Sequence, residues 1–394
     1  MTKQIFLLTL FFFYSAITLF GQDHFFTHFY SNRSFFNPAL TGIRGSSVIA
    51  IRYKNQWRSS GSVSPFSTYS ANYEDAMICG PFDLGISVLQ DQEGAGQLTT
   101  VVGGAQLAGS FNMGRFTFRP GLNLQFGQKS IDLSGLTFAD QLNAKYGFED
   151  AFGNPNSTTF VLPAGGGITN TYFAPVIGVA GQLLIPRKRP NREDIYILFG
   201  GAVHNAVQLD NRGLFGQEES LLNIGTLISR RIAVHASVEF YTKLGGNQFV
   251  AVRPQLLFQR QANLQYLESG VHFGLNNFLG LGVYYHATAR QVDQGINTNW
   301  LSWQFEYSHF TRVSNGEARR IDFNFNFSNN LSGLKNSVGM LFEFGVAYHF
   351  SKSLLCSLNP SGASSHLSRN KTRVCPNQSR NKIYENIWYN NIIF

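Results

Sequence analysis

Along residues 115–127 apolar and polar positions alternate without a miss. Phe116, Phe118, Pro120, Leu122, Leu124 and Phe126 stand between Arg115, Thr117, Arg119, Gly121, Asn123, Gln125 and Gly127. A period of two places these sets on opposite faces of an extended chain, which a helix does not do. The same alternation sets Ile49, Ile51 and Tyr53 against Ala50, Arg52 and Lys54, and Phe323, Phe325 and Phe327 against Asp322, Asn324 and Asn326. Fifteen candidate strands follow: 47–55, 65–75, 82–90, 99–111, 115–127, 171–184, 194–205, 221–229, 232–242, 248–258, 264–274, 278–288, 299–311, 319–329 and 338–350. Two-faced strands fit either a soluble sandwich or a membrane barrel. Strands long enough to cross a bilayer at a tilt, aromatics bunched at strand ends and a pattern sustained over the whole chain favour the barrel.

A backbone in lipid must satisfy its own hydrogen bonds, so the sheet has to close. Single-chain bacterial barrels have an even strand count, and 221–229 is the weakest candidate. The expected fold is therefore all-β, a transmembrane antiparallel β-barrel of about 14 strands over residues 47–350. In that arrangement 112–114, 243–247 and 276–277 become inner turns, while 128–170 and 206–231 become outer loops. In the last strand Phe342, Phe344, Val346, Tyr348 and Phe350 form one apolar face ending in an aromatic, as outer-membrane barrels typically close. An ordinary amphipathic edge strand is the plainer alternative.

The ends read differently. Lys3 precedes an apolar run from Ile5 to Phe20, and Gly21-Gln22 follows it, which reads as a secretory signal peptide over 1–21. The alternative is a single transmembrane anchor. Residues 22–46 are then expected to be a periplasmic lead-in. In it, the Pro of Asn37-Pro38-Ala39 fixes φ and the preceding Asn favours an extended approach that aims the chain into the first strand. Residues 351–394, rich in Ser, Asn and basic side chains, resemble nothing before them. They are expected to be disordered or a non-native extension, with a basic periplasmic arm as the alternative.

The 37 Phe, 16 Tyr and 39 Gly leave little room for a helical bundle. Cys79, Cys356 and Cys375 are too few and too scattered for a disulfide scaffold and show no zinc spacing. The net charge of +8 resides mostly in the tail, since 22–350 holds 24 basic and 22 acidic residues. With no nucleotide loop or aromatic-basic RNA motif, nucleic acid is not an expected partner. No Gly-x-Ser-x-Gly elbow occurs and the nine His are spread singly, so no enzyme, cofactor or metal is expected. His24 and His28 would suit a metal only on a helix, and no third ligand is evident. Glu74-Asp75, Glu149-Asp150 and Glu218-Glu219 read as solvated turn and loop charge, Cys79 as a small apolar residue, and Trp57 as an anchor among lipid headgroups at the outer interface. An inward face with Arg115, Arg119, Asn123 and Gln125 raises the alternative of a diffusion channel for small solutes.

Short motifs in order carry a family resemblance. Gln22 to Tyr30 (QDHFFTHFY), then Asn37-Pro38-Ala39 and Gly42, resembles the opening of the PorP/SprF family of type IX secretion outer-membrane proteins. Tyr53-Lys54-Asn55-Gln56-Trp57 is similar to the family's Tyr-Arg-Asn-Gln-Trp, and 85–94 (GISVLQDQEG), with Asp91 and Gly94, to its glycine-strand-Asp-Gly segment. Thr137-Phe138-Ala139-Asp140-Gln141 and the strand around Pro254 follow in place, so the resemblance spans about 22–350. Val338-Gly339-Met340 departs from the His-Glu with which the family opens its last strand. The resemblance implies a Bacteroidota outer-membrane barrel embedded in lipid and working with type IX secretion components. It would support secretion or surface attachment of a secreted protein, gliding adhesins included, without being an enzyme.

Overall fold

The structure, a computed structural model, describes residues 26–56, 66–76, 82–94, 96–132, 136–160, 168–169, 171–186, 195–207, 228–245, 248–262, 264–276, 278–290, 299–312, 318–331, 340–350 and 353–355. Its strands are β1 (Val48–Gln56), β2 (Phe66–Asp75), β3 (Phe82–Glu93), β4 (Leu98–Gly109), β5 (Phe111–Met113), β6 (Phe116–Ser130), β7 (Tyr172–Phe173) and β8 (Val176–Ile185). Then come β9 (Ile195–His204), β10 (Arg231–Gly245), β11 (Gln248–Gln261), β12 (Leu264–Leu275), β13 (Leu279–Arg290), β14 (Trp300–Arg312), β15 (Ala318–Asn330) and β16 (Leu341–His349). The short β5 and β7 lie on β6, and the other fourteen pair in sequence order, all antiparallel. Val48 opposite His349 and Asn55 opposite Phe342 mark the seam of β1 and β16 that closes the ring. The fourteen-strand antiparallel barrel is thus as expected.

The chain folds back at Gly114, just after β5, at the expected inner turn. Of the discarded candidate 221–229, residues 221–227 lie outside the described residues and Ile228 and Ser229 belong to no strand. β6 and β9 end, and β8 and β10 begin, at one end of the barrel, the loop end. The start of β1 and the end of β16 lie at the other, the terminal end. Pro254 sits inside β11, where the pairing with β10 skips from Ser237 opposite Gln255 to Phe240 opposite Val252 without a change of register. A residue without an N–H cannot donate to that ladder.

Side chains alternate as the period of two requires. Ile51 is 62% exposed on the outer face while the neighbouring Arg52 is buried inside. On β16, Phe342, Phe344, Val346 and Tyr348 face outward and Glu343, Ala347 and His349 inward, and the Phe350 N–H extends the seam to the Ser47 carbonyl at 2.9 Å. Ile51 stands mid-strand opposite Val346. Ile51→Arg is therefore expected to destabilise the barrel by roughly 2–4 kcal/mol, and Ile51→Leu to be near neutral, in urea unfolding from lipid vesicles.

Residues 26–47 correct the expectation of a periplasmic lead-in. They fold inside the barrel as two 3₁₀ turns, Tyr30–Asn32 and Pro38–Leu40, around a one-turn helix, Arg33–Phe36. Phe26, Phe29, Phe36, Leu40 and Ile43 are all buried, packed on Leu89, Ala180, Leu198, Leu257 and Tyr266 from the wall. Each such side chain contributes up to about 1.5–3 kcal/mol when removed from water, which a periplasmic location would forgo. The segment descends the lumen. The Thr27 N–H donates to Glu343 Oε2 at 3.0 Å, opposite Lys54 near the loop end, and Ser47 joins β1 at the terminal end.

Candidate functional site

The segment docks through Asn37-Pro38-Ala39. Asn37 is extended (φ −146°, ψ 112°), its Oδ1 accepts the Ala39 N–H at 3.0 Å, and Pro38 opens the following turn, where its fixed φ costs nothing. The local geometry is the one expected, but its use differs: Asn37 Nδ2 donates to the Val179 carbonyl at 3.0 Å and the Gly201 carbonyl at 3.3 Å, and lies 3.0 Å from His235 Nε2. The motif therefore fastens the chain to the wall instead of only aiming it into β1. The wall is bare where it does so. A Cβ on Gly121 would lie 2.1 Å from the Ala39 nitrogen, and one on Gly178 would lie 2.1 Å from Asn37 Oδ1. Gly42, at φ +68°, turns the chain where a Cβ would meet Asp83 Cβ at 2.6 Å.

Arg119 gathers this region. Its Nε donates to the Ala39 carbonyl at 2.8 Å, Nη2 to the Thr41 carbonyl at 2.6 Å and to Asp83 Oδ2 at 2.8 Å, and Nη1 to Ser110 Oγ. Thr41 Oγ1 donates to Gln106 at 2.9 Å, and Arg52 reaches the Ser31 carbonyl and Asn72. Glu74 accepts from Ser34 Oγ at 2.6 Å and from the Gly42 N–H at 3.0 Å, while buried Asp75 accepts from Ser47 Oγ at 2.9 Å. The expectation that Glu74-Asp75 is solvated turn charge is thereby corrected. β2 continues through Asp75, so both carboxylates are carried at the terminal end of the wall and bind the luminal segment.

The remaining motif residues are not brought together into one site. Tyr53 packs on Tyr69 and Phe342 on the outer face, its hydroxyl accepting from Asn55 Nδ2 at 3.1 Å, and Gln56 ends β1. Asp91 accepts from Thr68 Oγ1 at 2.5 Å inside the barrel, and Gly94, at φ +66°, begins a tight turn at the loop end. Asn123 and Arg119 face inward, whereas Arg115 is exposed at a turn and does not line the lumen. In the exposed loop 136–160, Asp150 accepts from the Phe152 and Asn154 N–H groups and Asp140 from the Thr159 N–H, which hold both carboxyls below their ordinary range. Trp57, Cys79, Cys356, Cys375, His24 and Glu218-Glu219 lie outside the described residues. Among the described residues no three His, Cys, Asp or Glu side chains converge on a metal position.

Across the lumen the wall is charged. Arg253 Nε meets Glu239 at 2.5 Å, Arg320 and His349 meet Asp322 at 2.8 Å and 2.7 Å, and His272 lies 3.4 Å from Glu306. Arg44, from the segment, lies 3.9 Å from Asp322. These pairs are not among the residues expected from the sequence. Their signal was charge spaced by two on the face opposite the aromatics, as in Arg320, Asp322 and Asn324.

His28 sits fully buried on the segment, its ring 4.4 Å from that of Tyr284 and 5.8 Å from that of His286.

Comparison with known proteins adds the following. A family model described as type IX secretion system membrane protein PorP/SprF matches residues 18–361. No curated protein matches the chain. The solved structure of the CymD monoaromatic hydrocarbon channel is 10% identical over 81% of this chain and 92% of that one, with a TM-score of 0.40. The Pseudomonas putida toluene transporter TodX is also 10% identical, over 81% and 93%, with a TM-score of 0.39. Acinetobacter baumannii outer membrane protein Omp33 is 7% identical over 77% and 97%, with a TM-score of 0.32.

Proposed function

The chain belongs to the PorP/SprF family of type IX secretion system membrane proteins, and from that premise we propose that it is an accessory outer-membrane barrel supporting secretion or surface attachment of particular exported proteins, gliding-adhesin-like cargo among them. The family match over residues 18–361 carries the reading. The filled lumen supports it. A barrel packed with its own N-terminal segment acts through its surfaces, and loops are where barrels bind. The loop 136–160 holds Leu142, Tyr146, Phe148 and Phe152 exposed at the loop end, braced by Asp140 and Asp150. The partners in this reading are type IX components and a secreted surface protein, and the role is non-enzymatic, with no cofactor.

Affinity capture of the tagged full chain from native membranes tests this. Type IX components or a secreted surface protein are the expected companions, and recovery of neither overturns the reading. A diffusion channel for small solutes is the alternative, drawn from the polar inward face. Arg119, its strongest feature, is spent on holding the segment in place, and two of the cavities beside the segment measure about 60 and 140 Å³. A stable planar-bilayer conductance of porin size would restore that alternative.

A further inference from the structure

β2 ends in two carboxylates, Glu74 and Asp75, and neighbouring positions of a strand leave it on opposite faces. Glu74 points into the lumen, where it accepts from Ser34 Oγ at 2.6 Å and from the Gly42 N–H at 3.0 Å, both on the luminal segment. Asp75 has the outward parity at the rim of the terminal end, yet it is 0% exposed. Part of its cover is chain from beyond the closing strand. Ser353 is buried, the chain turns helically at Leu354 and Leu355, and the N–H groups of both leucines are aimed back at the wall. The Leu355 N–H donates to Asp75 Oδ2 at 3.0 Å and the Leu354 N–H to Ser47 Oγ at 2.7 Å.

These bonds meet at one joint. Ser47 Oγ, while accepting from Leu354, donates its own hydrogen to Asp75 Oδ2 at 2.9 Å, and the Tyr73 hydroxyl donates to the same oxygen at 2.7 Å. The Ser47 carbonyl takes the Phe350 N–H at the seam. The chain thus leaves β16, passes the foot of β1 and reaches the end of β2. A buried carboxylate is costly unless donors surround it, and here one donor comes from beyond β16, one from the last residue of the luminal segment and one from β2 itself. The family match runs on to residue 361, so the matched region does not stop at the closing strand.

We propose that residues 353–355 are a strap native to the fold, which locks the terminal end of the barrel and couples the chain beyond β16 to the luminal segment. Asp75 holds the strap and Glu74 holds the segment. Because the two residues are consecutive, the end of β2 cannot shift without moving both holds, and Ser47 belongs to each. Drawing the strap off Asp75 and Ser47 therefore loosens the foot of the segment. The expectation of a disordered or non-native extension is left to the residues past 355.

Amide hydrogen exchange on the purified full chain in detergent tests the strap. The Leu354 and Leu355 amides are expected to exchange at least about tenfold more slowly than in an unstructured chain, as groups held in a fold do. Exchange at the unstructured rate overturns the proposal. Leu354→Pro and Leu355→Pro test the coupling, since each removes one N–H where the first helical turn tolerates the ring. Both are expected to lower the thermal midpoint by several degrees and to raise protease cleavage within 26–46 several-fold. Leu354→Ala and Leu355→Ala keep the N–H and should leave cleavage unchanged. Cleavage at the wild-type rate in both proline variants overturns the coupling, even where the midpoint falls. Should neither proline variant fold, Asp75→Asn keeps the shape and weakens the acceptor. It should move both readouts the same way, and unchanged cleavage in it counts against the coupling. None of these measurements involves type IX components, so their failure is distinct from failure of the proposed function.

Discussion

Gly178→Val is expected to drive the Asn37-Pro38-Ala39 turn off the wall and convert a closed barrel into a conducting one. The first atom of any side chain at 178 would stand 2.1 Å from Asn37 Oδ1 and 3.0 Å from Pro38 Cδ, far inside contact distance. Neither neighbour is a flexible tip that can swing aside: the Asn37 amide is held by Val179 and Gly201, and Pro38 is a ring. Losing the Asn37 bonds costs about 0.5–1.5 kcal/mol each. The segment should then sample positions outside the lumen. Protease cleavage within 26–46, a lower unfolding temperature and new planar-bilayer conductance are the three linked signs. Gly103→Ala is the control, because a Cβ there meets nothing within 4 Å and the barrel should stay closed. Silence in bilayers together with unchanged proteolysis in Gly178→Val would mean that this contact does not hold the segment.

The barrel was legible because lipid and lumen impose a period of two on each strand that is independent of distant contacts. Ile51 beside Arg52, and Phe325 beside Asn326, announce their faces within one strand. Closure and parity then require that one of the fifteen candidates be removed, and 221–229 is the weakest of them. The luminal segment was not legible, for the opposite reason. Phe26, Phe29, Phe36 and Leu40 have no alternation, and what buries them is wall contributed by β3, β8, β9, β11 and β12, far away in sequence. A polar inner face reads the same whether water or chain lies against it. The clue available beforehand was the mismatch in residues 22–46: too many large apolar side chains for a solvated strap. Gly121 and Gly178 could not be singled out among 39 glycines, since their role is the absence of a side chain where Ala39 and Asn37 arrive.

The same dock predicts the second large effect, at Arg119. Its guanidinium is buried and joins the segment's Ala39 and Thr41 carbonyls to Asp83 on β3 and to Ser110. Arg119→Met leaves the Asp83 carboxylate buried without its counter-charge, and breaking such a pair from one side costs about 3–5 kcal/mol. Asp83→Asn should cost less, because Arg119 keeps its carbonyl and hydroxyl acceptors. The double variant should be more stable than the sum of the two losses predicts, by roughly 0.5–3 kcal/mol, since the uncompensated carboxylate is gone. It should still fall short of wild type, because the Ala39 and Thr41 carbonyls remain without their donor. Arg119→Lys keeps the charge but not the fork, so it should recover the Asp83 interaction and only part of the hold on the segment. Urea unfolding in vesicles measures the wall, and proteolysis within 26–46 measures the segment. If Arg119 ties one to the other, both readouts must move together in Arg119→Met and separate in Arg119→Lys. Strict additivity of the two single variants would show instead that Arg119 and Asp83 act independently, and that the segment is held elsewhere.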